Sequence, residues 1–310
     1  MEVQLTAVQL AASGVNIYEF RRPENQVLPE TEPGSHIDLH LPNGQIRQYS
    51  LITCAPEPTR YLIGVKRDPR GCGGSIFIHD QLRVGQLISI GLPRNNFPLQ
   101  EKGGQSVLFA GGIGITPIMS MIDRLTALGR PWDLYCSYKS RSEALFLERL
   151  EADPSVHLHF DDENGGQVLD IVNVLKELPT EAHLYCCGPS PMLSAFLAAA
   201  KDWPQEQVHI ERFSAGESPV DSRPFVVELA RSKTELVVPP KTTILAALRK
   251  AGIDVPSSCE QGFCGSCAVP VISGMLDHRD LVLTVEQRMA NDVIMICCSG
   301  SKSDRLVLDL

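Results

Sequence analysis

Cys259, Cys264, Cys267 and Cys297 stand in the spacing C-x4-C-x2-C-x29-C. That is the ligand pattern of a plant-type [2Fe–2S] centre, which sits at a low potential, on the order of −400 mV, and passes one electron at a time. Three thiolates must converge on a cluster a few ångströms across, so the loop must curl tightly. Gly262 and Gly265 supply the backbone freedom for that curl. The fourth cysteine follows the apolar run Val293–Ile296, expected to be a strand. Alternation along that strand would turn Cys298 to the opposite face, which makes Cys297 the expected ligand. Four cysteines also hold structural zinc, but zinc sites come as two short cysteine knuckles, which the isolated fourth cysteine does not match.

A nicotinamide donor delivers two electrons as a hydride, and a cluster accepts one, so a flavin must stand between them. Arg47-Gln48-Tyr49-Ser50 offers a guanidinium for a phosphate, a ring to pack on a flavin and a hydroxyl to hydrogen-bond it. Arg70-Gly71-Cys72-Gly73-Gly74-Ser75 is a second anion-binding turn, opening a short helix expected over 76–82. Further on, Gly111-Gly112-Ile113-Gly114-Ile115-Thr116-Pro117 joins a strand to a helix. Such a turn lets phosphate oxygens reach backbone N–H groups at a helix start, and Pro117 suits a first helical turn. Cys187-Gly188-Pro189 makes another strand-to-helix turn at the same sheet edge.

The elements that must position these residues fall into three segments. Residues 1–102 read as short strands (3–10, 15–20, 36–41, 47–52, 61–66 and 86–91) broken by Pro-Gly, Asn-Gly and Val-Gly turns, the pattern of a β-sandwich or barrel. His36–Leu41 alternates polar and apolar residues, as a half-buried strand should. Residues 103–213 alternate strands and helices, which means a parallel α/β sheet. Residues 214–224, SAGESPVDSRP, read as a linker. Residues 225–310 begin with a hairpin and a helix over 244–251 capped by Thr243, then carry the cysteine loop. The net charge of −9 over 310 residues argues against nucleic acid or an anionic membrane as partner. No signal peptide opens the sequence, and no apolar run reaches the ~18 residues of a membrane span. The expectation is a cytoplasmic protein whose other cysteines (54, 72, 136, 186, 187 and 298) are reduced thiols.

Taken in order, R-x-Y-S, GGIGITP, CGPSPM and the cysteine set resemble the phthalate dioxygenase reductase family, with vanillate demethylase reductases looking especially close. The resemblance covers essentially the whole chain. It implies an FMN-binding antiparallel β-barrel, a parallel-sheet α/β NAD-binding domain of ferredoxin-reductase type and a C-terminal α+β ferredoxin (β-grasp) domain. It also implies transfer of electrons from NADH to the Rieske centre of a separate oxygenase, by a protein expected to be monomeric. On that resemblance Arg47, Tyr49 and Ser50 match the flavin motif, and Gly73, Gly74 and Ser75 the turn receiving the FMN phosphate. Gly112, Gly114 and Thr116 match the pyrophosphate and nicotinamide turn, and Cys187, Gly188 and Pro189 the segment beside the reacting nicotinamide carbon. Phe213 matches an aromatic near the flavin, and Ser50 and Cys187 take the catalytic positions. The choice of FMN over FAD rests on the resemblance alone.

The residues after strand 132–137 are Tyr138-Lys139-Ser140-Arg141, with no acid to grip a ribose 2′-OH. Lys139 and Arg141 suit the 2′-phosphate of NADPH, whereas the resemblance favours NADH. Two rivals stand beside this reading: a self-contained NAD(P)H diaphorase reducing small acceptors such as quinones, and a zinc-binding subunit with no activity.

Overall fold

In the computed structural model every residue is described except Arg70, Cys72, 214–222, Cys259, Gln261, Phe263, Leu281 and the side chain of Asn25. The first hundred residues supply β1 (Glu2–Ala12), β2 (Val15–Arg21), β3 (Ser35–His40), β4 (Ile46–Ser50), β5 (Tyr61–Lys66), α1 (Gly74–Gln81), β6 (Leu87–Ile90) and β7 (Arg94–Asn95). The strands form one antiparallel sheet in the order β4-β3-β6-β1-β2-β5, with β7 added to β3. A bridge from Leu51 to Ile63 brings the two end strands together, and the Ile52 N–H donates to the Leu62 carbonyl at 2.9 Å. The sheet thus bends into a barrel, the closed one of the two forms its turn-punctuated strands allow.

One strand departs from expectation. β3 is buried on both faces up to His40, not half-buried. Its polar side is covered because Arg94 donates to both Asp38 oxygens at 2.8 Å and Gln48 donates to one at 3.0 Å. A buried carboxylate is tolerated when its charge is paired in this way.

Beyond the barrel come β8 (Ser106–Gly111), α2 (Ile115–Ala127), β9 (Trp132–Tyr138), α3 (Leu147–Glu151), β10 (Val156–Phe160), α4 (Ile171–Lys176), β11 (His183–Cys187), α5 (Ser190–Ala199) and β12 (Val208–Glu211). All five strands run parallel in the order β10-β9-β8-β11-β12. Between β9 and β10 the chain forms a 3₁₀ turn at Arg141–Glu143 and then the short α3. Here Phe146 takes a positive φ of 58°, which delays the helix start.

The barrel and the parallel sheet share apolar packing. Val15, Ile52 and Phe97 join Ile115, Met119 and Tyr185 in one buried cluster. Each such buried aliphatic or aromatic side chain contributes about 1.5–3 kcal/mol. Gly34 also donates its N–H to Ser120 Oγ on α2 at 3.1 Å. Met1–Phe213 is accordingly one compact unit, and Ser214–Leu310 is a second.

The second unit holds β13 (Phe225–Leu229), β14 (Thr234–Val238), α6 (Ile244–Lys250), β15 (Ala268–Ser273), β16 (Leu276–Asp277), α7 (Val285–Ala290), β17 (Val293–Met295), β18 (Gly300–Ser301) and β19 (Arg305–Leu308). Its main sheet runs β14-β13-β19-β15-β17, with β16 and β18 paired apart. β19 lies between β13 and β15 with Leu306 and Leu308 fully buried, so the last residues of the sequence complete the core. Thr243 caps α6, accepting from the Ala246 N–H at 3.1 Å. Residues 214–222, most of the expected linker, lie outside the described residues.

Candidate functional site

The flavin motif and the Gly73–Ser75 turn meet at the start of α1. A Cβ added to Gly74 would lie 2.6 Å from Arg47 Nε and 2.7 Å from its Cγ, so the arginine side chain lies against the helix start and only glycine leaves it room. Gly73 precedes it as the N-cap with φ +80°, a conformation that favours glycine. A guanidinium beside the unfilled N–H groups of a helix start forms a receptor for a phosphate. Ser75 Oγ accepts from the Asp68 N–H at 3.0 Å and so ties the turn down. Tyr49 packs on the barrel core, and burial pushes its phenol pKa up.

The two strand-to-helix turns of the parallel sheet interlock. Gly112–Gly114 forms a 3₁₀ turn that runs into α2, and Pro189 is the N-cap residue of α5. A Cβ on Gly114 would collide with the Cys187 carbonyl. One on Gly111 would fall 2.6 Å from both Pro189 Cδ and Met192 Sδ. Any side chain at these glycines would push the turns apart. Thr116 is buried, and its hydroxyl donates to the Ile113 carbonyl at 2.9 Å. Its methyl would stand 2.8 Å from a Cβ on Gly64 of β5, so the turn also presses on the barrel.

Glu211, at the end of β12, links the two sets. Ser50 Oγ donates to Glu211 Oε2 at 3.2 Å and Cys187 Sγ to the same oxygen at 3.8 Å. Burial drives the Glu211 pKa up to about 8, against which the hydrogen bonds from Ser50 and Cys187 work. Burial and the neighbouring Glu211 charge hold the Cys187 thiol well above its ordinary range, so it is a neutral thiol and no nucleophile at neutral pH. No sequence motif singles out Glu211. Its partners come from residues 24 and 161 positions away, and no local spacing announces them. Phe213 is half-buried against the cluster that contains Ile115 and Cys187.

In the second unit, Cys264, Cys267 and Cys297 are described and Cys259 lies outside the described residues. Gly262 and Gly265 both take φ +76°, as the expected tight loop requires. Cys297 and Cys298 do not continue β17, which ends at Met295; both lie in the following turn. The strand-alternation argument for separating them therefore does not apply. The Cys297 thiol reaches both Cys267 and Cys298, and these hydrogen bonds raise its pKa while lowering that of Cys267. A Cβ on Gly262 would collide with Cys298 Sγ. Among the described residues no three His, Cys, Asp or Glu side chains form a set able to hold a metal ion. The thiol-only donors on a glycine-curled loop fit an iron–sulfur cluster. Asp280, fully buried, accepts from the Val282 and Leu283 N–H groups at 3.2 and 2.9 Å and braces this loop beside Gly262.

Residues 227–301 match the family model of the 2Fe-2S iron-sulfur cluster binding domain. Phenoxybenzoate dioxygenase subunit beta from Ectopseudomonas oleovorans is 45% identical, with the match covering 100% of this chain and 97% of that protein. Tetrachlorobenzoquinone reductase from Sphingobium chlorophenolicum is 44% identical over 100% and 98% of the two chains. A solved structure of phthalate dioxygenase reductase, described as modular for electron transfer from pyridine nucleotides to [2Fe-2S], superposes with a TM-score of 0.83. It is 37% identical, and the match covers 100% of this chain and 98% of the other. The chain belongs to the phthalate dioxygenase reductase family. As a phthalate dioxygenase reductase relative it is an electron-transferring oxidoreductase, a flavoprotein of ferredoxin-reductase type with a [2Fe–2S] domain. Among the described residues no helix is long and apolar enough to cross a membrane.

Proposed function

We propose that the chain is the NADH-dependent reductase component of an oxygenase system, passing electrons through FMN and the [2Fe–2S] cluster to a separate component with a Rieske centre. The observation that carries this reading is the Ser50–Glu211–Cys187 contact, which joins the flavin motif to the end of the nucleotide-binding sheet. When bound, a flavin accepts a hydride and releases electrons singly, and a [2Fe–2S] cluster carries them one at a time.

The chain's own residues have the following proposed parts. Arg47 with Gly73, Gly74 and Ser75 holds the FMN phosphate, while Tyr49 and Ser50 orient the ring. Gly112, Gly114 and Thr116, opposite Cys187, Gly188 and Pro189, receive the dinucleotide, and Phe213 covers the ring. Glu211 keeps a proton between Ser50 and Cys187 at neutral pH. Cys259, Cys264, Cys267 and Cys297 ligate the cluster. Residues 1–102 act as the flavin domain, 103–213 as the NAD domain, 214–224 as the linker and 225–310 as the ferredoxin domain, in a monomeric cytoplasmic protein.

The visible spectrum of anaerobically purified protein, taken before and after one equivalent of NADH, tests the reading. Flavin bands and a broad iron–sulfur shoulder that both bleach are expected. A colourless protein fully loaded with zinc would overturn it, since zinc has no visible absorption. The tetrachlorobenzoquinone reductase relative favours a second reading, direct reduction of a small quinone. NADH oxidation driven by a chlorinated quinone as fast as by the best protein acceptor would select it.

A further inference from the structure

We infer that Glu163 and Glu151 set the choice of NADH over NADPH, by closing Arg141 against a 2′-phosphate. This rests on the reading of the parallel sheet's carboxyl edge as the pyridine-nucleotide site. In such sheets the ligand lies beyond the carboxyl ends of the strands, and the residues that tell a ribose 2′-OH from a 2′-phosphate follow the strand beside the glycine turn. Here that strand is β9, paired with β8, and the residues after it are Lys139, Ser140 and Arg141. They include no carboxylate, and taken alone they present two cations to the ribose.

The fold reverses that picture. Arg141 Nε donates to Glu163 Oε1 at 2.5 Å, and Nη2 approaches Glu163 Oε2 at 3.5 Å. Nη1 donates to Glu151 Oε1 at 2.5 Å. The guanidinium carbon sits 4.5 Å from the centre of the Phe160 ring, a cation–π contact that fixes one face. Three of its five N–H donors are engaged and one face is covered, so the Nε–Nη2 edge is taken by Glu163 and the charge is already matched by two carboxylates before a phosphate arrives. The three side chains are each about half exposed, so these pairs add little to fold stability. Their effect is on occupancy: a 2′-phosphate must compete with two carboxylates for the guanidinium.

Charge acts in the same direction. Asp161 and Asp162 precede Glu163 at the end of β10, and their backbone N–H groups donate to the Tyr138 and Lys139 carbonyls, so the segments around Lys139 and Arg141 carry more carboxylates than cations. That excess of negative charge opposes a dianion. A free carboxylate oxygen remains suited to accept a ribose 2′-OH.

The test binds adenosine 2′,5′-bisphosphate and adenosine 5′-monophosphate to the full-length protein by calorimetry, and compares kcat/KM for NADPH and NADH with ferricyanide. The double variant Glu151→Gln/Glu163→Gln should bind the 2′,5′-bisphosphate roughly ten-fold more tightly, the size of one freed charge-assisted contact. Its NADPH-to-NADH ratio should rise by a similar factor, while 5′-monophosphate affinity stays level. Adding Arg141→Ala should erase the gain, which separates Arg141 from Lys139 as the phosphate's partner. Unchanged 2′-phosphate affinity with intact 5′-monophosphate binding, or a gain that survives Arg141→Ala, overturns the inference alone. Loss of both nucleotides in the unmodified protein, with no NADH oxidation, overturns the nucleotide-site reading with it.

Discussion

Glu211 holds a proton at a pH where a solvated glutamate has lost it, and that has a thermodynamic consequence. Its pKa rises from an ordinary 4.5 to about 8 because burial disfavours the anion. Below about pH 4.5 both folded and unfolded chains carry this proton, and above about 8 neither does. Between those values the folded chain holds a proton that the unfolded chain has released. Stability therefore falls as pH rises through that window, at about 1.4 kcal/mol per pH unit. Glu211→Gln, which mimics the protonated acid, should remove this slope. Thermal midpoints of both proteins at pH 5.5 and 7.5 check it: the parent should lose more stability than the variant, and parallel losses would show that the carboxyl ionises normally. Sequence reasoning named Ser50 and Cys187 because each belongs to a recognisable motif. It passed over Glu211, whose meaning appears only when β4, β11 and β12 are brought together.

At the scale of elements, the cysteine loop depends on a brace that no cysteine supplies. The Asp280 carboxylate accepts from two backbone N–H groups and from Ser299 Oγ at 3.4 Å, and Arg288 on α7 donates to the Asp280 carbonyl at 2.5 Å. Asp280→Ala removes the acceptor of the Val282 and Leu283 N–H groups and of Ser299 Oγ, each bond contributing about 0.5–1.5 kcal/mol, and leaves the Arg288 bond to the backbone carbonyl in place. The variant should lose its iron–sulfur absorbance to a chelator several-fold faster than the parent, with NADH–ferricyanide activity unchanged; equal loss rates would remove Asp280 from the support of the loop. α7 itself was legible in principle. Thr284 and Gln287 form a capping box, the Thr–x–x–Gln pattern that marks a helix start, but only six residues follow before Asn291 turns the chain back. So short an apolar period is easily lost beside a strong cysteine motif. The barrel strands and the parallel sheet were readable because turns and two distinct periods mark them. β19 was not, because a four-residue strand gains its place only from partners about 80 and 35 residues away in sequence.

For the whole molecule, Met1–Phe213 and Ser214–Leu310 each enclose their own buried clusters. The proposed hydride chemistry lies in the first unit: Arg47, Ser50, Cys187 and Glu211 all belong to it. The cysteine loop lies in the second. Damage confined to the loop should therefore stop one half of the relay and leave the other running. Cys264 is half-buried and donates to Ser266 Oγ at 3.3 Å, so Cys264→Ser changes one sulfur to oxygen with little loss of packing. Serine is a poor substitute for a thiolate on an iron–sulfur cluster. The variant should keep at least about half of the parent's NADH–ferricyanide turnover, because electrons leave at the flavin without passing the loop, a change under 0.5 kcal/mol in barrier. Electron delivery to a protein acceptor should fall by about a hundred-fold or more, a barrier increase of about 2.7 kcal/mol. Loss of both activities together would mean that the two units do not work as separable stages, and that the cysteine loop supports the flavin site itself.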